Sequence, residues 1–138
     1  MLTEASGVPV ALAVAGANRN DVMLLEPTLE GIVVRRPRPT RRRPQGLCLD
    51  NAYDVDWVYP LLARFGLTAH VRGRQEEAWM PRRTPGARAR RWVVERTQSW
   101  INRFRALLVR WDKQTVNYVG SLYLACAYIT FAQAGLLG

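Results

Sequence analysis

The stretch Leu47–Val71, LCLDNAYDVDWVYPLLARFGLTAHV, decides the fold. Leu47–Leu49 is a short apolar run that reads as a buried strand, and Asp50 follows directly at its C-terminal end. Asn51–Tyr53 makes a turn, Asp54 stands where a helix N-cap belongs, Val55–Phe65 is helical, and Gly66 is the stop. Leu67–Val71 is the next strand. A strand, a helix and a strand within so few residues imply a βαβ unit and therefore a parallel pair. The expected class is α/β with a short mixed sheet. Functional groups in such sheets collect at the carboxyl ends of strands, which makes Asp50 a site candidate. The plain alternative is an aspartate that merely forms the turn.

Downstream, Arg90–Trp111 (RRWVVERTQSWINRFRALLVRW) places Val93, Thr97, Trp100, Ile101, Phe104, Leu107, Leu108 and Trp111 at steps of three and four. That spacing predicts one long helix over 90–111 with an apolar stripe. Arg91, Glu95, Gln98, Asn102 and Arg105 fall on the other side, so Glu95 is a lone carboxylate on an arginine-rich face. Its plain reading is a solvated ion pair with Arg91, worth a few tenths of a kcal/mol. After a break near Asp112–Lys113, no charged residue occurs from Gln114 to Gly138. This segment is long enough to span a membrane. Asn117, Ser121, Thr130 and Gln133 interrupt it, however, and Val116, Val119, Leu122, Tyr123 and Cys126 have helical spacing. A buried or pairing helix over 114–134 is the expectation, and a membrane tail is the alternative.

Upstream, Arg35–Arg43 (RRPRPTRRR) lies in a basic loop over 35–45 and contains Arg35, Arg36, Arg38, Arg41, Arg42 and Arg43. Pro37 and Pro39 prevent a regular helix and the like charges repel, so an exposed, extended loop is expected. It reads either as a solubilising linker or as an arm contacting phosphates. Gly7–Ala15 is a β-rich apolar run, with Leu2–Glu4 as the stub of a preceding strand. Asp21 takes an N-cap position before MLLEPTLEGI, a helix that must kink or restart at Pro27, and Ile32–Val34 reads as a strand end. Arg72–Ala89 is a polar connection rich in Arg, Pro and Gly.

The chain has 138 residues and a net charge of +9, and Lys113 is its one basic residue that is not arginine. The planar guanidinium fork suits bidentate phosphate contact, so a polyanion, nucleic acid first, is the expected partner. One histidine (His70) and two cysteines leave no room for a His/Cys metal cage. Cys48 and Cys126 read as reduced core thiols of a cytoplasmic protein. MLTEASG has no basic region followed by an apolar run, hence no secretory signal is expected. There is no Gly-rich phosphate loop and no Ser-His-Asp set.

GVPVALAVAGANRNDVMLLEPTLEGI, the Arg/Pro loop, LCLDNAYDVDWV, RWVVERTQSWINRFRALLVRWDK and the apolar YLACAYI segment occur in an order that resembles a known family. It is the DDE class of bacterial insertion-sequence transposases, specifically insertion sequence family five within the family-four superfamily. The resemblance runs through nearly the whole chain and is carried most specifically by RWVVERT with W-x-N-R-F-R. It implies a partial DDE catalytic domain over residues 1–138, with an incomplete ribonuclease-H-like fold and long C-terminal helices. It implies that three carboxylates hold two Mg2+ or Mn2+ ions, with Asp50 as the second acidic position and Glu95 as the third. Arg91 matches an arginine expected to touch phosphate. Arg88 and Asn102, with Arg103 beside it, stand where the family has tyrosine and lysine. Arg91 and Arg96 would offset repulsion within the acidic pocket.

The family's first aspartate belongs to a strand ahead of GVPVALAV, and Glu4 is not at its position. The resemblance therefore implies two of three metal ligands, and little or no nuclease activity for this chain alone. The implied partners are double-stranded DNA at transposon ends, an N-terminal transposase portion and a second copy in a homodimer. The implied location is the cytoplasm, at the nucleoid. Two other readings stand beside this one: a non-catalytic basic DNA-binding fragment, and a tail-anchored membrane protein.

Overall fold

The computed structural model describes residues 1–71, 91–109 and 111–136. The expected parallel pair is present: β3 (Gly46–Leu49) lies alongside β4 (Thr68–Val71), in register from Gly46 opposite Thr68 to Leu49 opposite Val71. The N-terminal run forms a separate antiparallel pair of β1 (Leu2–Thr3) with β2 (Pro9–Ala11). The described residues thus hold two two-stranded sheets where one short mixed sheet was expected.

The crossover between β3 and β4 is α2 (Val58–Arg64). Val58, Leu61 and Leu62 share one helix face, and Val58 and Leu62 are 0% exposed. Pro60 sits in the first turn, where its missing N–H costs nothing. The helix ends at Gly66, whose φ of +67° favours glycine. The Gly66 amide donates to the Ala63 carbonyl and the Leu67 amide to the Leu62 carbonyl, both at 2.9 Å. These are the paired bonds of a Schellman motif. The start differs from expectation: Asp54 does not cap α2 but accepts the Tyr59 hydroxyl at 2.6 Å, and helical geometry begins after Trp57.

Asn20, not Asp21, caps the segment after the first hairpin, its side chain accepting from the Val22 amide at 3.1 Å. A 3-10 turn over Asp21–Leu24 leads into α1 (Leu25–Glu30). Pro27 is tolerated because it falls in the first turn of α1. Ile32–Val34 forms no strand.

Val22, Leu25, Leu29, Leu47, Val58, Leu61 and Leu62 make the principal core, with Leu2, Leu49 and Leu67 packed against it. Both sheets therefore contribute to one apolar cluster. Truncating Leu62 to alanine costs about 2–5 kcal/mol, the range for a fully buried leucine. The exposed Arg64–Glu26 pair joining α2 to α1 adds at most about 1 kcal/mol.

The single helix expected over 90–111 is broken. α3 (Arg91–Ile101) ends in tight turns, Phe104 is extended (φ −82°, ψ 101°), and α4 is the short Arg105–Leu108. The turn brings the Phe104 ring edge-on to Tyr128, with centroids 5.7 Å apart. Leu107 remains buried, but Leu108 and Trp111 (79% exposed) leave the stripe once the periodicity is interrupted. α5 (Thr115–Gln133) packs against α3, α4 and β2 through Ala125, Cys126 and Ile129. No helix among the described residues is long and apolar enough to cross a membrane.

Candidate functional site

Asp50 caps the turn that leaves β3. Its backbone is extended (φ −79°, ψ 172°), and a carboxylate oxygen accepts from the Ala52 amide at 2.9 Å. The residue is exposed at the C-terminal end of a parallel strand, where the sequence put it. Its turn-forming role is therefore real and leaves the carboxylate open to solvent. Nearby lies a group that the sequence did not single out. The Tyr53 phenol is pushed above its ordinary pKa by burial first, then by the negative charges of Asp21 and Asp50. The Tyr53 hydroxyl also lies 3.5 Å from the Asp21 carbonyl, so Asp21, read from the sequence only as a helix cap, lies beside the turn that Asp50 caps.

Glu95 is exposed on α3, opposite the buried Val93 and Thr97. α3 rests on β1 and on α5, and Thr97 ties it to the first hairpin. Asp50 and Glu95 thus come from separate elements, β3 and α3. Among the described residues no group of three or more His, Cys, Asp or Glu side chains could hold a metal ion. A three-carboxylate cage therefore does not fit the residues described.

The arginines divide by what they touch. Arg35, Arg38, Arg41, Arg42 and Arg43 are exposed. Thr40 and Arg43 bridge back on each other, amide to carbonyl at 3.2 and 3.0 Å, which puts Arg41 and Arg42 at the tip of a tight turn. Arg36 instead points inward, donating to the Gln45 side chain at 3.1 Å and to the Phe65 carbonyl at 2.7 Å. The latter is a cation at the C-terminus of α2, a position the helix dipole favours. Pro39 closes the contact, since a Cβ on Gly66 would lie 3.0 Å from its Cγ. The loop expected to be extended is therefore held against the α2–β4 turn.

Arg96 donates to the Ser6 carbonyl and stacks over Trp100, its guanidinium carbon 5.0 Å from the ring centroid. Asn102 and Arg103 are exposed in the break after α3. The side chain of Arg91 lies outside the described residues, as do Arg88 and the connection over 72–90. Cys126 is buried as expected, whereas Cys48 is exposed because the side chains of β3 alternate, with Leu47 and Leu49 toward the core and Cys48 on the other face.

These features define an α/β domain with acidic residues on separate elements and an arginine-rich surface. Residues 1–130 match the family described as the transposase DDE domain. A putative transposase for insertion sequence element IS402 from Burkholderia cepacia is 33% identical over 132 residues, or 94% of this chain and 60% of that protein. No solved structure matches the chain. The chain belongs to the transposase DDE domain family, and it spans about 60% of the length of the relative it matches.

Proposed function

We propose that this chain is the catalytic-domain portion of a bacterial insertion-sequence transposase, taking part in DNA strand cleavage and transfer. The observation that carries the reading is the family match over residues 1–130, with Asp50 at the end of β3 and Glu95 on α3. On this reading the two carboxylates are the second and third acidic positions of a ribonuclease-H-like site. DDE transposase domains generally use divalent metal ions. On this reading a two-metal site needs a further carboxylate beside Asp50 and Glu95, and the described residues bring no third one into a group with them. The chain alone is then inactive or nearly so.

The exposed arginines, with Asn102 and Arg103, bind double-stranded DNA at transposon ends, mainly through phosphates. Arg91 and Arg96 flank Glu95 in the sequence, and on this reading they contact phosphate and offset repulsion among the carboxylates. The working location is the cytoplasm, at the nucleoid.

A magnesium- or manganese-dependent nicking assay on terminal-repeat DNA tests the reading. The 138-residue chain alone is expected to cut weakly or not at all. A full-length protein containing it is expected to cut, and to lose at least about 100-fold on Glu95→Gln or Asp50→Asn. Full activity in either variant overturns the assignment. A second reading, a non-catalytic DNA-binding fragment, is favoured by the absence of a three-carboxylate group among the described residues. DNA binding without cutting by the full-length protein selects it.

A further inference from the structure

Two consecutive side chains of α3 end on two consecutive carbonyls of the first hairpin. Arg96 donates to the Ser6 carbonyl, and the Thr97 hydroxyl donates to the Gly7 carbonyl at 2.6 Å. The turn that offers these carbonyls is itself held from within. The Glu4 carboxylate accepts the Ser6 amide at 2.9 Å and the Val8 amide at 3.2 Å, and the Gly7 amide donates to the Glu4 carbonyl at 2.9 Å. One turn further along α3, Trp100 supports the Arg96 guanidinium.

We propose that Thr97, with Arg96 and the Glu4 turn as its socket, is a positioning residue that sets the direction in which α3 presents Glu95. The inference rests on the reading of Glu95 as a catalytic carboxylate. Successive helix residues stand about 100° apart, so Glu95 projects nearly opposite Thr97. A single bond would act as a pivot, whereas two bonds on neighbouring carbonyls resist both rotation and sliding of the helix. Apolar packing supplies little of that restraint. Among the described side chains of α3 only Val93 and Thr97 are buried, and one of the two is polar. A buried hydroxyl aimed at one carbonyl selects a single rotational setting, which an apolar side chain of the same shape does not.

The lever is long enough to matter. A carboxylate about 5–6 Å from the helix axis moves by about 2 Å when the helix turns by about 20°. Misplacement of a reacting group by about 1 Å can cost on the order of 100-fold in rate.

Pulsed electron paramagnetic resonance on the 138-residue chain tests the anchor without requiring activity. In a Cys126→Ala background, one spin label goes on the exposed native Cys48 and the other on Glu95→Cys. Thr97→Val should shift or widen the distance distribution, as should Gly7→Ala, which crowds the socket from the other side. Thr97→Ser keeps the hydroxyl and should restore the original distribution. Leu29→Val weakens a core to which α3 contributes no buried residue, and should leave the distance unchanged. In a full-length protein assayed well below every melting temperature, Thr97→Val should lower kcat on the order of 100-fold with DNA affinity unchanged. Thr97→Ser should recover most of that loss. An unaltered distance in both Thr97→Val and Gly7→Ala overturns the proposal, as does an equal change in Leu29→Val. Full cleavage by Thr97→Val beside an inactive Glu95→Gln overturns it too. If Glu95→Gln also cuts fully while the distance shifts, the failure lies in the catalytic role given to Glu95, and the anchor alone stands.

Discussion

The Thr97 hydroxyl donates to the Gly7 carbonyl at 2.6 Å, joining the helix that carries Glu95 to the turn of the first hairpin across 90 residues of sequence. Thr97 is completely buried, and the same hydroxyl lies 3.1 Å from the Val93 carbonyl. Thr97→Val keeps the shape and removes the donor, leaving the Gly7 carbonyl short of a partner. Such a loss costs about 1–3 kcal/mol. The melting temperature should fall by a few degrees, on the order of 3–8 °C for a domain of this size. An unchanged melting temperature would show that the bond contributes nothing.

Gly7 is fixed by its backbone as well as by its partner. Its φ is +90°, and a Cβ added there would lie 3.1 Å from an Arg96 nitrogen and 3.2 Å from the Thr97 hydroxyl. Gly7→Ala therefore combines a disfavoured conformation with crowding, at about 1–3 kcal/mol. Urea unfolding should show a lower midpoint with an unchanged slope. Gly120→Ala, in open space on a helix, should leave monomer stability equal or slightly higher.

The contrast with the sequence reading is instructive at particular residues. The βαβ unit was legible because its signals are local: Val58, Leu61 and Leu62 recur at helical steps, and Gly66 is the stop. Asp50 was placed at the strand end for the same reason. Three features were not legible. The break at Phe104 preserves apolar spacing on either side, so periodicity passes through it without notice. The tie from Arg36 to Phe65 spans 29 residues and looks like any other arginine in a basic run. Splitting of the strands into two sheets depends on pairing partners, which no single stretch encodes. A possible signal for Arg36 was Gln45, whose side chain also donates to the Pro37 carbonyl and closes the loop.

Within the basic loop, structural and ligand-contacting arginines should separate experimentally. Arg41 and Arg42 are exposed at the tip of the turn, where the proposed function puts phosphate contacts. If each neutralises one phosphate, removing both should flatten the slope of log K against log salt by about 2 and leave the melting temperature unchanged. Arg36→Ala removes a charge-assisted bond, worth about 1.5–3 kcal/mol where fully engaged. It should lower the melting temperature while leaving the slope nearly as it was. Fluorescence anisotropy on duplex DNA at several salt concentrations measures the slopes. Identical behaviour of Arg36→Ala and the tip variants would remove the distinction.

The two thiols should differ in reactivity. Cys48 is exposed, whereas Cys126 is buried, and burial pushes its thiol above its ordinary pKa, outweighing the nearby N-terminal charge that lowers it. A smaller thiolate fraction and poor access both slow attack. A disulfide reagent at neutral pH should titrate one thiol quickly in the native chain and the second only on unfolding. Two fast thiols would place Cys126 at the surface.

Acid should loosen the first hairpin through Glu4. Burial pushes its carboxyl up, but the Ser6 hydroxyl, the Val8 and Ser6 amides and the Arg96 charge together hold it below its ordinary value of 4.5. A carboxylate with a depressed folded-state pKa stabilises above the unfolded-state value, and that contribution is lost as pH falls through the folded one. The effect is therefore complete above about pH 5 and fades below about pH 4.5. Solvent exposure keeps it small. Glu4→Gln retains an acceptor oxygen without the titration. The melting-temperature difference between wild type and Glu4→Gln should be constant from neutral pH to about 5 and shrink below that. Parallel curves down to pH 3 would mean that the Ser6 and Val8 bonds do not depend on the carboxylate charge.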